Sequence, residues 1–240
     1  MTTLFISDLH IEASRPDITA RFVEFAGAEL GQATALYILG DLFETWIGDE
    51  EPDPDQRRVM EALKTWTDSG VPCFVMHGNR DFLIGRRFCE ATGAELLPDP
   101  VVVTLYGTPV LVMHGDALCT DDRSYQRLRA TVRDAGWQQK FLSLNVRQRR
   151  TIAQAARAGS RAHMAGLEYS IVDVNPASVE IALRQAGTGV LLHGHTHRPA
   201  VHTICVDGRE CTRIVLGDWY DQGSVLRWNA TGFELGALAR

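Results

Sequence analysis

Short apolar runs that stop on a polar residue recur along this chain, and that pattern restricts its fold more than any other feature. Residues 3–6 lead to Asp8 and His10, 35–39 to Asp41, 71–76 to Asn79, 109–113 to His114, and 189–192 to His193, His195 and His197. Runs of this length bounded by Gly, Pro and Asp are the pattern of buried strands. Between them, 18–30 and 57–69 carry apolar residues at helical spacing. Strands that alternate with helices predict an α/β fold, whose ligands bind beyond the carboxyl ends of the strands. The polar residues fall there. The last strands are expected at 214–216 and 225–228.

The window 121–168 breaks the alternation. It reads as two or three helices, with Leu128, Val132, Trp137, Phe141 and Leu142 as apolar positions. It holds ten of the 24 basic residues against four acids (Asp121, Asp122, Asp134, Glu168). We read it as a positively charged helical cap inserted into one domain that spans 1–240.

Bulk properties set the remaining bounds. A chain of 240 residues, 45% hydrophobic, buries a core without staples. A formal charge of −6 argues against general nucleic-acid binding. Five cysteines without a C-x-x-C pair read as reduced cytosolic thiols. No secretory leader is visible, and no apolar stretch reaches the roughly 18–20 residues of a membrane span. Any membrane contact is expected to be peripheral.

Five motifs stand in order: Asp8-Leu9-His10, Gly40-Asp41-Leu42, Gly78-Asn79-Arg80-Asp81, His114-Gly115-Asp116 and Gly194-His195-Thr196-His197. Oxygen and nitrogen donors without cysteine suit Mn²⁺, Fe, Co or Zn. Seven donors exceed what one ion needs but fit two that share a carboxylate. The assignment gives Asp8, His10 and His197 to one metal, Asn79, His114 and His195 to the other, and Asp41 to both. Each motif alone is as readily a turn or a cap; five in this order point to a dinuclear centre. His77, His193 and His202 are left as structural, and Asp116 as a support rather than a ligand.

These motifs resemble the calcineurin-like metallophosphoesterase family over nearly the whole chain. The resemblance implies a two-sheet α/β sandwich flanked by helices, with a dinuclear centre. Many members have His after the Gly-Asn pair; Arg80 stands there instead. The strings from Gly40 to Asp49, His77 to Gly85, His114 to Gln126, Gly194 to Pro199 and Leu216 to Tyr220 are similar to the UDP-2,3-diacylglucosamine diphosphatase branch. That branch implies hydrolysis to UMP and 2,3-diacylglucosamine 1-phosphate in lipid A biosynthesis, with Mn²⁺ and water attack at the phosphorus nearer uridine. It implies catalytic roles for Asp41, Asn79, Arg80 and His195. Asn79, Arg80, Asp122, Ser160, Met164 and His195 become substrate contacts, at the cytoplasmic face of the inner membrane. Arg80 fits a diphosphate, whose leaving phosphate needs a fixed cation more than a proton. Ser160, Met164 and Leu167 share one helical face, and the last two are apolar where several relatives are polar. Either the cap grips the sugar differently, or Arg157, Arg161 or His163 supplies a polar contact, or the stripe is the cap's own core.

Overall fold

The computed structural model describes residues 2–164, 173–220 and 223–238, with the side chains of 161–164 excepted. Two sheets face each other. The first contains β1 (Thr2–Ile6), β2 (Ala33–Ile38), β3 (Cys73–Met76), β4 (Glu95–Leu97), β10 (Ser224–Asn229) and β11 (Gly232–Ala237). Its order is β11-β10-β1-β2-β3-β4, and β1 to β4 run parallel. The second contains β5 (Val101–Leu105), β6 (Thr108–Met113), β7 (Val190–His193), β8 (Ala200–Val206) and β9 (Arg209–Val215). Its order is β5-β6-β7-β9-β8, with β6, β7 and β9 parallel.

The period of two along each strand divides the core into layers. In β1, Leu4 and Ile6 join a cluster with helices α1 (Pro16–Glu29), α2 (Pro54–Asp68) and α3 (Arg86–Thr92), while Phe5 turns inward between the sheets. In β6, Val110 and Val112 face Phe5, Met76, Leu192 and Ile214 in that inter-sheet layer. Leu111 and Met113 pack outward with Val179 and Leu183 of α7 (Pro176–Ala186). Two faces buried on each central strand explain why these segments read as continuous apolar runs.

Local chemistry sets the helix boundaries. Asp53 and Gln56 form a reciprocal capping box and Pro54 occupies the first turn, so α2 begins three residues before the apolar periodicity does. Val59, Leu63 and Trp66 then line its buried face. Residues 121–168 yield α4 (Arg123–Val132), α5 (Ala135–Leu142) and α6 (Val146–Met164). Two of the expected apolar positions here are corrected: Leu128 is 51% and Leu142 37% exposed. Helix α4 buries no residue fully and docks through polar side chains, Tyr125 and Arg129 to Asp116 and Gln126 to backbone oxygens of Asp116 and Cys119. Trp137 and Phe141 stack on each other and pack with Phe82 against the main core. Leu167 and Glu168 lie outside the described residues. Among the described residues no helix is long and apolar enough to cross a membrane.

Candidate metal centre

The carboxyl ends of β1, β2, β3, β6 and β7 meet at one edge of the sandwich, and the chain turns there in costly conformations. Asp8, His10, Asp41, His195 and His197 all have positive φ, between 51° and 67°. Only two other described non-glycine residues do, Tyr106 and Asp207, each followed by a positive-φ glycine in the turn of a hairpin. A left-handed non-glycine residue costs on the order of 1–3 kcal/mol and persists where surrounding structure forces it. Here Asp8 N–H donates to Gly40 O, His10 N–H to Asp41 O, and Gly194 N–H to His114 O. Close approach then demands glycine. A Cβ on Gly194 would lie 2.2 Å from Ser7 Oγ and 2.4 Å from Asp8 Oδ2; one on Gly40, at φ +91°, would lie 2.7 Å from Gly78 Cα.

Two groups of donors result. Asp8 Oδ1 lies 3.3 Å from His197 Nε2 and 3.9 Å from His10 Nε2, and the two imidazole nitrogens are 3.2 Å apart. Asn79 Oδ1 lies 2.9 Å from both His114 Nε2 and His195 Nδ1. Asp41 stands between: its Oδ2 is 3.8 Å from His10 Nε2 on one side and 3.8 Å from His114 Nε2 on the other. All seven candidate ligands are therefore brought together at one place.

The other end of each side chain fixes which atom faces inward. His10 Nδ1 is held by Glu44 Oε2 at 2.8 Å, His114 Nδ1 by Leu39 O at 2.9 Å, and His197 Nδ1 by Asp218 Oδ2 at 3.3 Å. Each outer nitrogen keeps its proton, so each Nε2 can present a lone pair. Asp8 Oδ2 accepts from Ser7 Oγ and His195 N–H, which leaves Oδ1 buried with no hydrogen-bond donor. Asp41 Oδ1 accepts from Arg80 N–H at 2.8 Å, freeing Oδ2. With NH₂ inward, Asn79 would donate to His114, His195 and Asp41; with Oδ1 inward it adds another lone pair to theirs. Buried lone pairs converging without protons between them are what a cation requires. The residues fit divalent metal ions.

Without cations, protons answer the same charge. Burial opposes ionisation of His197, but Asp8 and Asp218 prevail and push it up to about 10. His114 is likewise raised to about 9: burial works against this, and Asp41, Asp8, Asp116 and Asp99 outweigh it. Burial and then His114 pull His195 down to about 4.

The calcineurin-like phosphoesterase family model matches residues 1–199. The chain belongs to the calcineurin-like phosphoesterase family. It is accordingly a metal-dependent hydrolase. Among its curated relatives, the UDP-2,3-diacylglucosamine hydrolase of Stenotrophomonas maltophilia (strain R551-3) is 51% identical, with all of both chains covered. That of Xanthomonas axonopodis pv. citri (strain 306) is 52% identical over the same full extent. Solved structures share the fold at low identity. A novel archaeal phosphodiesterase gives a TM-score of 0.50 at 13% identity, covering 99% of this chain and 100% of that one. Vacuolar Protein Sorting 29 from Cryptosporidium parvum gives 0.51 at 16%, covering 99% and 91%.

Around this phosphoesterase centre, Arg80 Nε lies 4.0 Å from Asp41 Oδ2, with its side chain one quarter exposed. It is a cation next to the carboxylate that stands between the two donor groups. Asp122 is buried and caps α4, accepting from Tyr125 N–H at 2.9 Å. Ser160 is half-buried on α6; Met164 ends that helix, its side chain outside the description together with those of Arg161 and His163. Arg157 pairs with Glu44. His193 is fully buried, its Nδ1 on Gly194 O, and burial drives its pKa down to about 3; His77 Nε2 meets Ile84 O. Neither belongs to the groups of donors described above. Asp116 supports the site: its carboxylate takes the Tyr125 hydroxyl and Arg129 Nε, and the Tyr125 ring stacks on His195.

Sequence reasoning gave no role to Glu44, Asp218, Ser7 or Asp81. Asp81 is fully buried and accepts from the backbone N–H groups of Asp41, Leu42, Phe43 and Gly78, which ties the β2 turn to the β3 turn. Its position inside a quoted motif was the only signal. Which groups it holds depends on strands distant in sequence.

Proposed function

We propose that the chain hydrolyses the diphosphate of UDP-2,3-diacylglucosamine, giving UMP and 2,3-diacylglucosamine 1-phosphate in lipid A biosynthesis, with two Mn²⁺ ions. The observation that carries the dinuclear part is Asp41 Oδ2, equidistant at 3.8 Å from the imidazole nitrogens of the two donor groups. The substrate rests on relatives of that activity, half identical over their full length.

Asp8, His10, His197 and Asp41 would hold one ion, and Asn79, His114, His195 and Asp41 the other. Two cations supply Lewis acidity toward phosphoryl oxygens and a water acidic enough to attack. The remaining work falls to the chain. Arg80 neutralises, through its bidentate guanidinium, charge that develops on the diphosphate. The Asp81 clasp keeps the backbone under Asp41 and Asn79 from shifting as charge moves. Asp122, Ser160 and Met164 would supply contacts to the sugar and acyl portion from the cap, and Asn79 and His195 to the diphosphate.

A lipid substrate also requires access to a bilayer, and we place the enzyme peripherally on the cytoplasmic face of the inner membrane. Arg123, Arg127, Lys140, Arg147 and Arg150 are exposed on the cap helices, and so are Leu128, Leu142 and Ile152. Basic side chains interleaved with apolar ones suit an anionic lipid surface. Phosphorus NMR of the products in ¹⁸O-labelled water tests the reaction: UMP should carry the label. Label in the lipid phosphate would reverse the substrate's orientation, and no cleavage would reject the proposal.

A further inference from the structure

Five of the inward-facing side chains are oriented by a hydrogen-bond or ion-pair partner at their other end, and those partners differ in where they come from. Leu39 O and Asp218 hold His114 and His197; Ser7 and backbone N–H groups hold Asp8 and Asp41. All of these belong to the sandwich. The cap reaches two of the histidines: the Tyr125 ring of α4 stacks on His195, and His10 is held through a chain of polar contacts from α6. His10 Nδ1 rests on Glu44 Oε2 at 2.8 Å, and Glu44 Oε1 is taken by Arg157 Nη2, a side chain of cap helix α6. Glu44 cannot itself be a ligand in this arrangement, because Nδ1 is on the side of the ring away from the donor cluster and its second oxygen is occupied. The pair is largely sheltered, with side-chain exposures of 18% for Glu44 and 14% for Arg157. A second arginine of the same helix, Arg149, donates to Ile47 O at 2.6 Å and to Glu50 Oε2 at 2.9 Å. Helix α6 thus grips the loop that carries Glu44 at two points.

We infer that Glu44 is a positioning residue for the first metal site, clamped by Arg157, so that the seating of cap helix α6 sets the orientation of His10. The inference rests on the two-cation reading above. A carboxylate on the outer nitrogen of a ligating histidine fixes its tautomer and raises its basicity, and losing such a partner typically lowers metal affinity 10- to 100-fold. Arg157 acts one step further out. It holds the carboxylate in place, and a cap that rides away from the sandwich would release it.

The test is a calorimetric Mn²⁺ titration of the full-length protein, wild type against Glu44→Met, Arg157→Met, the double variant and Arg157→Lys. Thr151→Ala, exposed on the same helix, serves as control. The wild type should bind two ions. Glu44→Met and Arg157→Met should each weaken one of the two by tenfold or more and leave the other unchanged. The double variant should bind no more weakly than Glu44→Met alone, since both changes break one chain of contacts. Arg157→Lys should recover part of the loss, and Thr151→Ala should match wild type. Thermal melts separate this from general unfolding, and the conservative Arg157→Lys keeps the test open if a methionine variant fails to fold. Two unchanged sites in both single variants, or strictly additive losses, would overturn the inference while leaving the proposed reaction standing. A wild type that binds fewer than two ions would overturn the two-cation reading itself, and this inference with it.

Discussion

Asp41→Asn isolates the charge of the shared carboxylate from its shape. Asparagine tolerates the φ of 52° at this position better than other residues, and its carbonyl oxygen can still accept the Arg80 N–H now bonded to Asp41 Oδ1 at 2.8 Å. What disappears is the negative charge on Oδ2, 3.8 Å from a ligating nitrogen on either side. One unit charge acting on another at about 4 Å is worth about 4 kcal/mol at an effective dielectric near 20. This carboxylate faces two dications. Losing at least about 4 kcal/mol of transition-state stabilisation slows turnover about a thousandfold or more. Steady-state kinetics with Mn²⁺, paired with elemental analysis of bound metal, provides the assay, and the melting temperature checks that the fold survives. An Asp41→Asn enzyme that holds two ions and works within tenfold of wild type would refute the shared-carboxylate reasoning.

Further expectations follow from the same geometry. His114 and His197, raised to about 9 and about 10, are protonated in the metal-free protein at pH 7.5, so loading must expel about two protons. Metal affinity therefore climbs with pH up to that range and falls toward acid; calorimetry in buffers of different ionisation enthalpy counts the protons, and proton-neutral binding would contradict the assignment. Arg80→Lys should give an intermediate rate and Arg80→Ala a loss of about 100-fold or more; equal kcat/KM for all three would remove Arg80 from the chemistry. Asp81→Asn places an NH₂ among four backbone N–H donors and should cost about 2–4 kcal/mol in urea unfolding. Deacylated UDP-glucosamine should lose about 100-fold or more in kcat/KM if the cap uses the acyl chains to position the diphosphate; equal rates would leave the cap without that role.

The ligand set was legible because each member follows a buried strand and most adjoin a glycine, features written locally in the chain. The two-sheet architecture was legible by resemblance, and the parallel strands by their apolar runs. The edges were not. Strands β8 and β11 carry exposed or half-exposed residues along most of their length, so no continuous apolar run marks them. Leu128 and Leu142 were misread because α4 is secured by polar contacts to Asp116 and Cys119, which helical periodicity does not encode. Glu44 and Asp218 escaped for a related reason: each acts on a histidine whose ring is brought to it only by tertiary structure, across 34 positions for His10. Helix α2 shows the reverse case, since Asp53, Pro54 and Gln56 specify its start within the sequence itself.

The central claim is that one carboxylate joins two metal sites. Anomalous scattering from Mn²⁺-soaked crystals, measured at the manganese absorption edge, addresses it directly. Two peaks about 3.5–4 Å apart are expected, one beside Asp8, His10 and His197 and one beside Asn79, His114 and His195, with Asp41 Oδ2 between them. A single peak, or two peaks with Asp41 touching only one, would contradict it.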